Sequence, residues 1–275
     1  MTLVAEHRRA SRPSAWRRLW WSHPELSLLM ISLAAWLAVV MLHLAMPSHS
    51  GAGQCSMAAH TGADHHGAVR LDMVADRCAG MPSPAMPFLA SLTMWMVMAA
   101  AMMLPTTLPA ARSISLNGRW QRRHRGQAWF AAGYLAVWWF FGVVTLAVAG
   151  ALAPKPVGSV VVSGTLAIAA GWELTRGKRC FLRGCHRVRS LPADGRRADR
   201  AAMGEGLRIG LRCTGACGPL MVPMALAPHA LWLMGVLFGV VAAEKLVTNA
   251  VDHLRVFAAV LAAIAVIVMS GAPLG

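Results

Sequence analysis

Hydrophobic residues along the chain fall into seven long blocks separated by shorter polar stretches. The blocks are Leu28–Met46, Phe88–Ala110, Ala128–Leu152, Val157–Thr175, Ile209–Ala227, Leu231–Val251 and Val256–Gly271. Each approaches the roughly 20 residues that an α-helix needs to cross the hydrocarbon of a bilayer. The blocks are too long and too uniformly apolar for the in–out alternation of barrel strands. Strands in an open sheet would also leave backbone groups unsatisfied in lipid. The pattern therefore predicts an all-α, polytopic transmembrane helix bundle with about seven membrane helices. It divides the chain into a basic cytoplasmic segment over 1–27, a first membrane helix over 28–46, an extracytoplasmic loop over 47–87 and a six-helix membrane domain over 88–275. A signal peptide is the other reading of the first block. The length of the apolar run and the extended basic region before it favour a retained anchor.

Composition fits this picture, with 57% of residues hydrophobic. The net charge of +15 changes it only in one respect. Arginines gather in "EHRRASRPSAWRRLWW", "RSISLNGRWQRRHRGQ" and "RGKRCFLRGCHRVRSLPADGRRADR", which alternate with the predicted crossings. That is the positive-inside distribution, so the charge needs no nucleic-acid partner. It sets the N-terminus in the cytoplasm, the 47–87 loop outside and the C-terminus outside. The partner it implies is the lipid bilayer.

Sulfur supplies the candidate chemistry. The chain has six cysteines. Cys55 and Cys78 fall in the outer loop, where a disulfide can persist, and the other four fall at or near the cytoplasmic face, where thiols stay reduced. Cys180 and Cys185 flank "FLRG" in the loop after the fourth block, and Cys213 and Cys217 are four apart on the fifth predicted helix. An i, i+4 pair shares one helix face. If the fourth and fifth helices pack together, four thiolates could meet on one ion, and sulfur donors of that kind favour Cu(I), Zn(II) or an iron–sulfur cluster. The bland reading is that these cysteines pack as small apolar side chains. Met221 extends the stripe beyond Cys217, with Met224 beside it.

In the second block, Met94, Met98 and Met102 recur every four residues. Thioethers can hold a soft monovalent ion without burying an anion, although methionines at this spacing also pack well against alanine-rich helices in lipid. The outer loop offers His49, His60, His65 and His66, a compositional metal signal. Two acids, Glu173 and Glu244, lie within apolar blocks, where charge is costly and functional roles are common. For Glu244 the alternative is a local ion pair with Lys245. No phosphate loop, dinucleotide fingerprint, nucleophile elbow or zinc-protease motif is present, so no catalytic residues are assigned.

The stretches "MWMVMAAAMMLPTTLPA", "GYLAVWWFFG", "KRCFLRGCHRV", "GLRIGLRCTGACGPLM" and the pair Glu244–Lys245 together resemble the bacterial "predicted metal-binding integral membrane protein" family, a domain of unknown function. The resemblance covers most of the chain from Phe88 onward. It implies that Cys180, Cys185, Cys213, Cys217 and the methionine-rich second helix are the marked positions. The chain departs from the pattern at Ala216–Cys217–Gly218, where the family carries adjacent cysteines followed by tryptophan.

The reading that results is a bacterial inner-membrane protein, not an enzyme, that binds a soft transition metal, most simply copper. It would transport the metal or deliver it to a metallochaperone or a membrane-complex partner. Two alternatives stay open at this point. One is an accessory membrane subunit with a zinc site or no metal. The other is a membrane thiol–disulfide oxidoreductase, which has no C-x-x-C to support it. Oligomeric state is not encoded in any of these patterns.

Overall fold

A computed structural model describes residues 25–45, 88–117, 122–152, 158–185, 187–192, 194–227, 230–247 and 250–271. The described residues are all-α, with no strand among them. The helices are α1 (Leu26–Ala45), α2 (Phe88–Met103), α3 (Leu108–Asn117), α4 (Arg123–Leu152), α5 (Ser159–Glu173), α6 (Arg176–Cys185), α7 (Gly195–Leu226), α8 (Leu231–Leu246) and α9 (Leu254–Met269). Short 3-10 turns precede α3 at Pro105–Thr107 and α9 at Ala250–His253.

Three helices, α1, α4 and α7, are long and apolar enough to cross a membrane. The pair α2 and α3, bent by 43° at Pro105, makes a fourth when counted as one span. The remaining predicted blocks form shorter helices, of 15 residues in α5 and 16 in each of α8 and α9. Long apolar side chains stay exposed on the outer faces of α1 and α4, among them Leu33, Leu37, Met41, Phe140 and Leu152.

The core is a seam between α4 and α7. Glycine makes it close. A Cβ on Gly206 would lie 2.1 Å from the Phe130 carbonyl oxygen, and one on Gly133 would lie 2.3 Å from that of Met203. No side chain fits between the two backbones there, which is how small residues bring helices together in lipid. The seam sets Tyr134, beside Gly133, against the turn of α7 that follows Gly210.

Proline interrupts two of the helices, and neighbours repair the damage. A proline has no N–H to give the carbonyl four residues earlier. Pro105 thus frees the Ala101 carbonyl, which accepts from Ser32 Oγ of α1 at 2.9 Å. Pro219, inside α7, frees the Gly215 carbonyl, which accepts from Trp172 Nε1 of α5 at 3.1 Å. Each bond ties a separate helix to the one that proline weakened.

Candidate metal centre

Cys213 and Cys217 are fully buried on the inward face of α7. They lie one helical turn apart on the same face. Two further groups converge on Cys213 Sγ. Lys245 Nζ of α8 donates to it at 2.7 Å, and Tyr134 Oη of α4 lies 2.9 Å away. A sulfur that receives an ammonium and faces a phenol hydroxyl has surroundings suited to a thiolate.

A second polar cluster adjoins this one through the backbone of α8. Glu244 and Lys178 are both completely buried. Lys178 Nζ donates to Glu244 Oε2 at 2.8 Å and to Glu173 Oε1 at 2.7 Å, with Glu173 also buried. One ammonium therefore holds together α5, α6 and α8. Glu173 Oε2 and Glu244 Oε1 have no hydrogen-bond partner among the described residues. The local pair that was the alternative for Glu244 and Lys245 does not form. These consecutive side chains diverge, one to Lys178 and the other to Cys213.

Cys185, at the end of α6, is 8% exposed. Burial pushes its thiol up to about 11, with opposing influence from Lys245. It lines a cavity of about 100 Å³ with Thr106, Thr107, Ser113 and Lys245. That cavity joins the break in the second block to the lysine that holds Cys213. Arg212 adds a brace, donating to the Gly184 carbonyl at 2.8 Å.

The expected ligands are thus brought together only in part. Cys213 and Cys217 are adjacent, Cys185 stands near them across Lys245, and Cys180 is exposed on α6. Among the described residues no group of three or more His, Cys, Asp or Glu side chains is arranged to hold a metal ion. Two thiols remain, a number that suits a soft monovalent ion better than tetrahedral zinc, whose structural sites take four ligands. Met221 and Met102 are fully buried, Met98 nearly so, and Met94 partly. His49, His60, His65 and His66 lie outside the described residues, as do Cys55 and Cys78.

The family described as PpoB2, copper chaperone, matches residues 92–268. The chain belongs to that family. The match takes in every helix from α2 to α9 and all four described cysteines. Copper is accordingly the metal against which the thiol pair has to be weighed, as cargo and not as a resident cofactor. No curated protein and no solved structure matches the chain.

Tyr134 and Lys178 escaped the sequence reading, and Lys245 entered it as a partner for Glu244 and not for a cysteine. Tyr134 had a signal, being the one tyrosine in the chain and set inside an apolar block. Lys245 had a weaker one, since a lysine within a membrane block usually faces protein. Lys178 had none, because it sits among arginines that read as a basic loop.

Proposed function

We propose that the chain is an inner-membrane copper chaperone that holds Cu(I) between Cys213 and Cys217 and passes it to a protein partner. The observation that carries the reading is the buried thiol pair with Lys245 on one of its sulfurs. Soft thiolates select Cu(I). Two thiolates around one Cu(I) make a complex of net charge −1, and the Lys245 ammonium balances it in a dry interior where an unpaired charge would be costly. Family membership supports copper over zinc. The cavity beside Lys245 and Cys185 gives the ion a way out toward a partner and gives Cys185 the place of an exchange ligand.

The membrane reading rests on the apolar helices and their exposed outer faces. In it the chain crosses seven times, with the basic segments in the cytoplasm and the 47–87 loop outside. The short helices α5, α8 and α9 span roughly 22–24 Å at 1.5 Å per residue, below the hydrocarbon thickness of about 30 Å. Flanking turns such as Ala250–His253 add to that length, and local thinning of the bilayer makes up the rest. Glu173, Glu244 and Lys245 then sit within membrane blocks, where ionisable groups mark ion pathways.

The test is elemental analysis of detergent-purified protein loaded with Cu(I) under reducing conditions. Cys213→Ser and Cys217→Ser should each lose about one copper per chain, while Cys180→Ser keeps it. Full copper in both of the first two variants would remove the site. Zinc in place of copper in the unsubstituted protein would favour a structural centre.

A further inference from the structure

We infer that Met94, Met98 and Met224 form a second Cu(I) site, built of thioethers alone and separate from the thiol pair. The inference rests on the copper reading above and deepens it by naming a station the ion occupies before it reaches the thiols.

Met94 and Met98 come from α2, four residues apart and therefore on one face. Met224 comes from α7, across the interface. All three line one cavity of about 60 Å³, with Ser91, Trp95 and Leu146 completing much of its wall. A void of about 10–15 Å³ by this measure already admits a water molecule, so a single dehydrated ion has room. Methionine is the side chain that ordinarily adapts to fill an irregular gap. Here three of them border a gap that none fills.

The donor set decides which ion fits. No lining residue is charged, and Ser91 is the one side chain with a hard oxygen. Thioethers are soft and neutral, so they suit Cu(I) and its analogue Ag(I) and not Zn(II) or Mg(II). The bound ion keeps its full positive charge in an apolar setting, which makes the site weak. At Cys213 and Cys217 the ion meets anionic sulfur instead, so its free energy falls between the two places. The geometry joins them. Met224, Met221, Cys217 and Cys213 follow at steps of three or four residues on the buried face of α7. At 1.5 Å per residue the ends of that row are about 16 Å apart. This is too far for one site and close enough for a short passage through Met221. Graded, individually weak binding is what lets an ion move on.

The experiment uses the full chain, with selenomethionine in place of methionine, purified in detergent and loaded anaerobically with Cu(I). X-ray absorption at the copper edge should show selenium neighbours beside sulfur. A Cys213→Ser/Cys217→Ser variant should keep about one of two coppers, surrounded by selenium, displaced by Ag(I) and untouched by Zn(II). The variant Met94→Leu/Met98→Leu/Met224→Leu conserves volume, and should lose the selenium neighbours while keeping the thiol-bound copper. Copper with no selenium neighbour in the unsubstituted chain overturns the inference without any variant having to fold. Selenium neighbours that survive the triple substitution overturn it as well. Failure of the thiol site reads differently, as full copper in the cysteine variant with the selenium signal intact.

Discussion

At Lys178 one ammonium serves two carboxylates, and all three side chains are shut away from solvent. Removing the ammonium while the acids stay would leave two like charges together in a dry interior. Breaking a buried pair in that way costs about 3–5 kcal/mol. Lys178→Met, which keeps the length of the stem, should therefore lower the thermal unfolding midpoint in detergent by many degrees. Lys178→Arg keeps the charge but cannot place a guanidinium where a compact ammonium sits between two oxygens, so it should fall between the two. A wild-type midpoint for Lys178→Met would show that the cluster holds nothing together. At the same scale, Cys213 is the residue whose surroundings say most about chemistry, because two donor-bearing side chains from two other helices meet on its sulfur. None of these partners adjoins Cys213 in the chain, and that is why sequence pattern found the sulfurs and not what surrounds them.

Among the elements, α7 is the one around which the others are placed. Its glycines are not equivalent. Gly206 lies against the backbone of α4, while a Cβ on Gly204 would meet nothing within 4 Å. Gly204→Ala should stabilise the helix by up to about 1 kcal/mol, since alanine is the better helix former. Gly206→Ala should cost about 1–3 kcal/mol by pushing the helices apart. Thermal unfolding of the two variants side by side should shift in opposite directions, and equal shifts would deny the seam its role. The helices themselves were largely legible from apolar run length: α1, α4, α5, α8 and α9 lie within a few residues of the expected blocks. Two parts were not. α6 read as a loop because "RGKRCFLRGC" is basic, although it folds as a helix that buries Lys178, Leu182 and Cys185. α7 begins at Gly195, well before the expected Ile209, because its first turns are polar. Arg122 and Arg125 bind Asp199 there, and Arg208 binds Glu205, so charge pairing steadies a stretch that hydrophobicity does not mark.

For the whole molecule, the orientation proposed from the arginine-rich segments has a direct check. Alkaline phosphatase joined after Gly275 should be active, and a fluorescent protein joined before Met1 should light up, as the two ends face opposite sides of the membrane. Both ends on one side would remove the seven-crossing arrangement. The sulfurs of the candidate site, Cys213, Cys217 and the methionine rows, stand out in the sequence, and the side chains that surround them do not. Four cysteines near one membrane face suggested a single cluster, yet Cys180 sits on the exposed side of its helix while Cys185 turns inward. They are five positions apart, nearly a turn and a half, so one helix cannot present both to the same ion.

The divergence of Glu244 and Lys245 has a consequence for assembly. In water a helix finds its orientation by burying its apolar stripe, but lipid offers no such preference, since its tails are as apolar as leucine. The sequence of α8 before these two residues is apolar throughout. Turned by one residue, about 100°, α8 would in one direction bring Lys245 toward Lys178 and in the other bring Glu244 toward the Cys213 sulfur, setting like against like either way. In the membrane arrangement proposed above, the adjacent acid and base work as a two-toothed key, fixing the rotational register of a helix that its own hydrophobicity leaves free to spin.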